Sequence, residues 1–101
     1  MTITRAVSGD VGELHFEGKL LFLSGADFHK NLKELLDCNI KSLSIYLDKL
    51  TFMDSAGLGM IMVAQKECDK LSIPLTLYHP SGDAKSLLQI TKSYERFNIV
   101  D

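Results

Sequence analysis

Apolar and polar residues alternate along the first part of the chain. From Thr2 to Val7, Ile3, Arg5 and Val7 alternate with Thr2, Thr4 and Ala6, a weak strand pattern. Ser8-Gly9-Asp10 reads as a turn. Val11 to Glu17 alternates more regularly, with Val11, Glu13, His15 and Glu17 on one side and Gly12, Leu14 and Phe16 on the other. Two such runs around a short turn predict an antiparallel hairpin with one wet face. Gly18 to Leu23 then reads as a turn followed by the apolar segment Leu20-Leu21-Phe22-Leu23. Ser24-Gly25-Ala26-Asp27 has the form of a capping box. Behind it Phe28, Leu32, Leu35 and Leu36 recur at helical spacing, which predicts one buried stripe. Lys30, Asn31, Lys33, Glu34 and Asp37 fill the wet side, with Lys30–Glu34 and Lys33–Asp37 as i, i+4 pairs.

Leu43 to Asp48 reads as a strand lying between two helices, and so as a central one, parallel to its neighbour. Leu58 to Leu71 reads as a helix with Met60, Ile61, Ala64, Cys68 and Leu71 on one face, Leu58 and Gln65 at its edge, and Lys66, Asp69 and Lys70 opposite. Met62 and Val63 fall towards the polar side. Two readings stay open for them: a partner surface of exposed apolar groups, or, for Met62, a filled core gap. Ile73 to Tyr78 is a strand with Pro74 near its start. A helix follows, capped at Ser81 or Asp83, with the stripe Ala84, Leu87, Leu88 and Thr91. Asn98 to Val100 is a short last strand. The alternation predicts an α/β domain over residues 1–101, with a mixed sheet because of the opening hairpin.

Composition narrows the functional class. The chain has 101 residues, of which 46% are hydrophobic, so one domain with a real core is expected. Net charge is −2, from 11 basic and 13 acidic residues spread along the chain. A nucleic-acid footprint needs a clustered basic face, so no nucleic-acid partner is expected. Arg5, Asp10, Glu13 and Glu17 interrupt the N-terminus, which therefore does not read as a signal peptide. The apolar run Leu58 to Ala64 is far short of the ~20 residues that span a bilayer, so no membrane insertion is expected. Cys38 and Cys68 are isolated and read as free thiols in a reducing compartment, which points to a cytoplasmic protein.

The chemistry concentrates at Thr51-Phe52-Met53-Asp54-Ser55-Ala56-Gly57-Leu58-Gly59. Here the chain leaves a strand and enters a helix. Asp54 and Ser55 are both favoured N-cap types, because their side-chain oxygens accept from the unpaired N–H groups of a first turn. Gly57 and Gly59 fall within that turn, although glycine inside a helix costs about 1 kcal/mol relative to alanine. Their missing side chains leave the backbone open to something that approaches closely. A Ser hydroxyl there reads as a phosphate acceptor, a ligand site or only a cap. No catalytic set accompanies it. The residue two before Ser55 is Met53, so there is no G-x-S-x-G elbow. His15, His29 and His79 carry no triad or metal spacing, and neither a zinc motif nor a phosphate-binding G-x-x-x-x-G-K-[ST] loop is present. Neither enzyme activity nor a cofactor nor a metal is expected.

Phe52-Met53-Asp54-Ser55-Ala56-Gly57-Leu58-Gly59 resembles the signature of the anti-sigma-factor antagonists, a family of STAS domains. Phe16-Glu17-Gly18-Lys19-Leu20 is similar to the family's early strand and turn glycine, and Leu75-Thr76-Leu77-Tyr78-His79-Pro80 to its late strand. Leu87-Leu88-Gln89-Ile90-Thr91 and Phe97-Asn98-Ile99-Val100 resemble its closing helix and terminal strand. The resemblance implies a STAS-like sheet with helices packed largely on one face. It also implies a partner-switching regulator. The unphosphorylated form would bind an anti-sigma factor that is also a serine kinase, phosphorylation of Ser55 would release it, and a serine phosphatase would reset the switch. Asp54 would position the hydroxyl, and Ala56, Gly57, Leu58 and Gly59 would form the contact surface. Where many relatives carry Asp after the early G-x-L, this chain has Leu21, which allows an apolar contact through Leu21 and Phe22. Two other roles fit the same helix end. One is a non-phosphorylated STAS subunit of a larger complex, such as an ABC transporter accessory protein; the other is a small-ligand or nucleotide-binding module.

Overall fold

The computed structural model describes residues Met1–Asp101. The opening hairpin forms as the alternation predicts. β1 (Thr2–Ser8) pairs antiparallel with β2 (Val11–Leu20), which sets Thr4 opposite His15 and Ala6 opposite Glu13. The chain continues through α1 (Gly25–Leu36), β3 (Ser42–Met53), α2 (Ser55–Lys70), β4 (Leu75–Tyr78), α3 (Gly82–Ile90) and β5 (Asn98–Val100). Short 3-10 turns at Phe22–Ser24 and Ser93–Glu95 precede α1 and β5. The sheet runs β1-β2-β3-β4-β5, and every pairing after the first is parallel. β3 is central, as expected of a strand between two helices.

One face of this mixed sheet carries the core. Leu14, Phe16 and Leu20 of β2, Leu43, Ile45 and Leu47 of β3, and Leu75 and Leu77 of β4 are buried with Phe28, Leu32 and Leu35 of α1, Ile61, Ala64 and Cys68 of α2, and Ala84 and Leu88 of α3. The helices thus pack largely on one face. The period of two along β2 leaves Glu13, His15 and Glu17 on the other.

Several local expectations are overturned. β2 does not turn at Gly18 but runs on to Leu20; Gly18 takes φ +104° at an irregularity in the β2–β3 register. β3 likewise extends to Met53, pairing Lys19 with Phe52 and Leu20 with Met53. Ser24 does not cap α1 through its side chain. The 3-10 turn runs straight into α1, so Ser24 is already helical, and its Oγ instead accepts from the Leu21 N–H at 3.2 Å. Asn31 is buried, not wet: its Oδ1 accepts from Arg5 Nη1 and its Nδ2 donates to the Asp27 carbonyl, both at 2.8 Å. Glu34 pairs with Arg5 across to β1 in place of Lys30. Leu71 is the C-cap of α2 and 54% exposed, outside the stripe assigned to it.

Candidate functional site at the α2 N-terminus

β2 and β3 are adjacent and parallel, so their carboxyl ends lie side by side. The loop from β2 carries Leu21, Phe22 and Leu23, and the junction from β3 carries Asp54 and Ser55. Two bonds fasten the ends together. The Asp54 N–H donates to the Leu20 carbonyl at 3.3 Å, and Thr51 Oγ1 donates to the Gly18 carbonyl at 3.0 Å.

Asp54 alone caps α2. Its backbone is extended, with φ −91° and ψ −179°, and its Oδ1 accepts from the Gly57 N–H at 2.7 Å. Its carbonyl accepts from the Leu58 N–H at 3.0 Å. Ser55 is therefore the first helical residue and not the cap. It is exposed, and its hydroxyl makes no hydrogen bond within the chain. With the Gly57 N–H taken by Asp54, the N–H groups of Ser55 and Ala56 are left for solvent or a ligand, as at any helix start. Their dipoles favour an anion at this point.

The two glycines differ. Gly57 is buried under the first turn: a Cβ there would sit 2.5 Å from the Leu20 carbonyl oxygen and 2.9 Å from Met53 Cγ. Its smallness serves the packing of α2 onto β2 and β3. Leu58 is buried as well. Both point inward, so the expectation that Ala56 to Gly59 form one contact surface does not hold for these two. Gly59 is the open one, with nothing within 4 Å of a Cβ. Ser55, Gly59, Met62 and Lys66 recur at helical spacing and share the outward face, with Val63 at its edge. Met62 and Val63 are each 42% exposed, which removes the core-filling reading of Met62.

Beside this stripe, Leu21 is half-buried while Phe22 and Leu23 are 75% and 89% exposed. Leu23 is an exposed apolar residue of this loop that sequence reasoning passed over. Four successive apolar positions, Leu20 to Leu23, cannot all face one core from a strand followed by a tight turn, and that run was the available signal. Leu21, Phe22 and Leu23 follow the carboxyl end of β2, and Ser55 and Ala56 follow that of the adjacent parallel β3, so both segments lie at one end of the sheet. No group of three metal-ligating side chains occurs. No helix is long and apolar enough to cross a membrane.

The model of the STAS domain family matches residues 2–101. No curated protein matches the chain by sequence. Among solved structures, the protein tm1081 of Thermotoga maritima superposes with a TM-score of 0.88 at 20% identity, over 98% of this chain and 86% of that one. The phosphorylated form of SpoIIAA, a Bacillus cell fate determinant, gives 0.75 at 15% identity, over 99% of this chain and 92% of that one. A sulfate transporter family protein of Wolinella succinogenes gives 0.76 at 20% identity, over 95% and 80%. At such identities these likenesses speak for the fold. The family match spans all but the first residue, and by it the chain belongs to the STAS domain family.

Proposed function

We propose that this chain is a partner-switching regulator of the anti-sigma-factor antagonist type, with Ser55 as its phosphorylation site. The observation that carries the reading is the division of labour at the helix start. Asp54 caps the helix, so the Ser55 hydroxyl is exposed and has no structural duty. A solved relative by fold, SpoIIAA, exists in unphosphorylated and phosphorylated forms. The unphosphorylated chain binds an anti-sigma factor that is also a serine kinase, through Ser55, Ala56, Gly59, Met62 and Val63 with Leu21 and Phe22 alongside. The kinase consumes the ATP, so this chain needs no cofactor, and a serine phosphatase resets the site in the cytoplasm.

Phosphorylation adds roughly −1.5 to −2 charges at neutral pH. The free N–H groups of Ser55 and Ala56 stabilise that charge in the isolated domain. At a close contact the dianion, beside Asp54, meets desolvation and like-charge repulsion. Each ~1.4 kcal/mol so lost weakens binding tenfold. Peptide mapping across residues 51–66 of the protein from its own cells tests the modification, and Ser55→Asp tests the consequence. Loss of the kinase partner with an unchanged melting curve supports the switch. Full binding by Ser55→Asp, with no phosphate under any growth condition, overturns it.

A second reading is a constitutive STAS subunit of a transport complex, favoured by the likeness to the sulfate transporter family protein. Under it the same helix end is an interface, and Ser55→Asp weakens binding far less.

A further inference from the structure

The helix-free face of the sheet carries a ladder of stacked rings, one per strand. His15 of β2 lies on Tyr46 of β3, with centroids 4.4 Å apart and planes 3° apart. Tyr46 lies on Tyr78 of β4 at 5.0 Å and 15°. The Nε2–H of His15 donates to Glu13 Oε1 at 2.9 Å, which fixes the imidazole in its stacked orientation. The rungs follow the spacing of the strands themselves, roughly 4.8 Å. At the β1 end the ladder stops. Opposite His15 stands Thr4, and beside it Ala6, both small and exposed. One face of the imidazole is covered by Tyr46; the other looks out over this shelf. A shallow depression of about 620 Å³ lies here, bordered by Thr4, Ala6, His15, Glu17, Asp48 and Lys49 among others.

The charge around the depression is unbalanced. Glu13 and Glu17 flank His15 on the same face, and Asp48 lies across from them on β3. Lys49 stands opposite Glu17 in the register but makes no ion pair with it. Burial first, and after it Glu13, Tyr78 and Asp48, raise the Tyr46 phenol above its ordinary value. An anionic ligand meets these carboxylates unfavourably. A bare ammonium meets them favourably but is a hydrated point charge that does not fill a flat slot. A guanidinium does both: it is planar, it stacks on ring faces, and its fork of N–H donors suits carboxylates.

We propose that this face docks an arginine side chain of a partner protein, which lies over Thr4 and Ala6 as the next rung on His15, with Glu17 and Glu13 as its counter-charges. The site is separate from Ser55 and independent of the switch.

The test uses the full chain with tetra-arginine and tetra-lysine peptides, followed by backbone amide NMR shifts and by tyrosine fluorescence. Saturable shifts at Thr4, Ala6, His15 and Tyr46 are expected for tetra-arginine, with tetra-lysine weaker by about tenfold. Thr4→Leu occupies the rung without changing charge and is expected to weaken tetra-arginine about tenfold, and Glu17→Gln to weaken it several-fold. Thr4 is exposed on an edge strand, so its folded state is checked by an unchanged melting curve; Ser55→Asp is expected to bind as the natural chain does. Equal binding of the two peptides, unaltered binding by Thr4→Leu, shifts confined to other surfaces, or no saturable binding each overturn the proposal.

Discussion

A methyl group on Gly57 would stand 2.5 Å from the carbonyl oxygen of Leu20. That oxygen also accepts the Asp54 N–H, so it cannot retreat without loosening the junction of β2 with α2. Gly57→Ala is therefore expected to destabilise the fold by about 1–3 kcal/mol, the range for overpacking a tight site. Urea unfolding measures it. A stability equal to the natural chain would show that the helix slides to make room.

Gly59 gives the opposite expectation from the same residue type two positions on. A Cβ there meets nothing within 4 Å. Gly59→Ala should raise stability by up to about 1 kcal/mol, the helix-interior difference between the two residues. If the face of Ser55, Gly59 and Met62 is the contact surface, the same variant should bind its partner less well. A rise in stability together with undiminished binding would remove Gly59 from the surface.

Asp54 caps through one oxygen to the Gly57 N–H at 2.7 Å. Asp54→Ala should cost about 1 kcal/mol, and Asp54→Asn much less, because the amide oxygen can accept the same bond. Thermal unfolding of the pair separates the cap from the charge. If Asn proved as harmful as Ala, the carboxylate charge and not the bond would be what the helix start uses.

The order of elements, the hairpin and the central parallel strand are legible in the sequence because periods of two and of about four dominate those stretches. Where strands met turns, the pattern misled. Gly18 looks like a turn, yet it sits inside β2 because pairing with β3 continues past it to Leu20 and Met53. Ser24 looks like a cap, yet a 3-10 turn had already started the helix before it. Asn31 looks wet, but Arg5 from another strand satisfies it, a contact 26 residues distant that no local pattern contains. At the site, Asp54 and Ser55 were equivalent as caps in sequence, and only backbone geometry separates their duties. The His15–Tyr46–Tyr78 ladder was invisible for the same reason: its members meet only through the register of three strands.

The two thiols should differ sharply in reactivity. Cys38 is exposed after α1, whereas Cys68 is fully buried in α2. Burial, helped by the charges of Asp69 and Glu67, pushes the Cys68 thiol from the usual 9.0 up to about 11. The folded state thus holds a proton that the unfolded chain gives up. The resulting stability is complete below pH 9 and is lost as pH rises towards 11. Urea midpoints across that window should fall less steeply for Cys68→Ala than for the natural chain. Parallel slopes would show that Cys68 contributes nothing to the alkaline loss, and rapid labelling of Cys68 in the folded protein would contradict its burial.

Leu23 offers the cleanest separation of surface from fold. It is 89% exposed, and neighbouring Phe22 is 75% exposed, so neither contributes much to the core. The turn that presents them is held instead by backbone and Ser24: the Ser24 N–H donates to the Leu21 carbonyl at 2.8 Å, and Ser24 Oγ accepts from the Leu21 N–H. Water around two such side chains is released when a partner covers them, at roughly 25 cal/mol per Å² of apolar area. Leu23→Asp should therefore leave stability within about 0.5 kcal/mol, as for exposed positions generally. If the β2 loop belongs to the contact, the new carboxylate should weaken partner binding by about tenfold or more, since apolar burial is lost and a charge is brought into the contact. Calorimetric titration against the kinase partner, with urea unfolding alongside, reads both quantities. Undiminished binding by Leu23→Asp would move the contact away from the β2 loop and leave α2 alone to carry it.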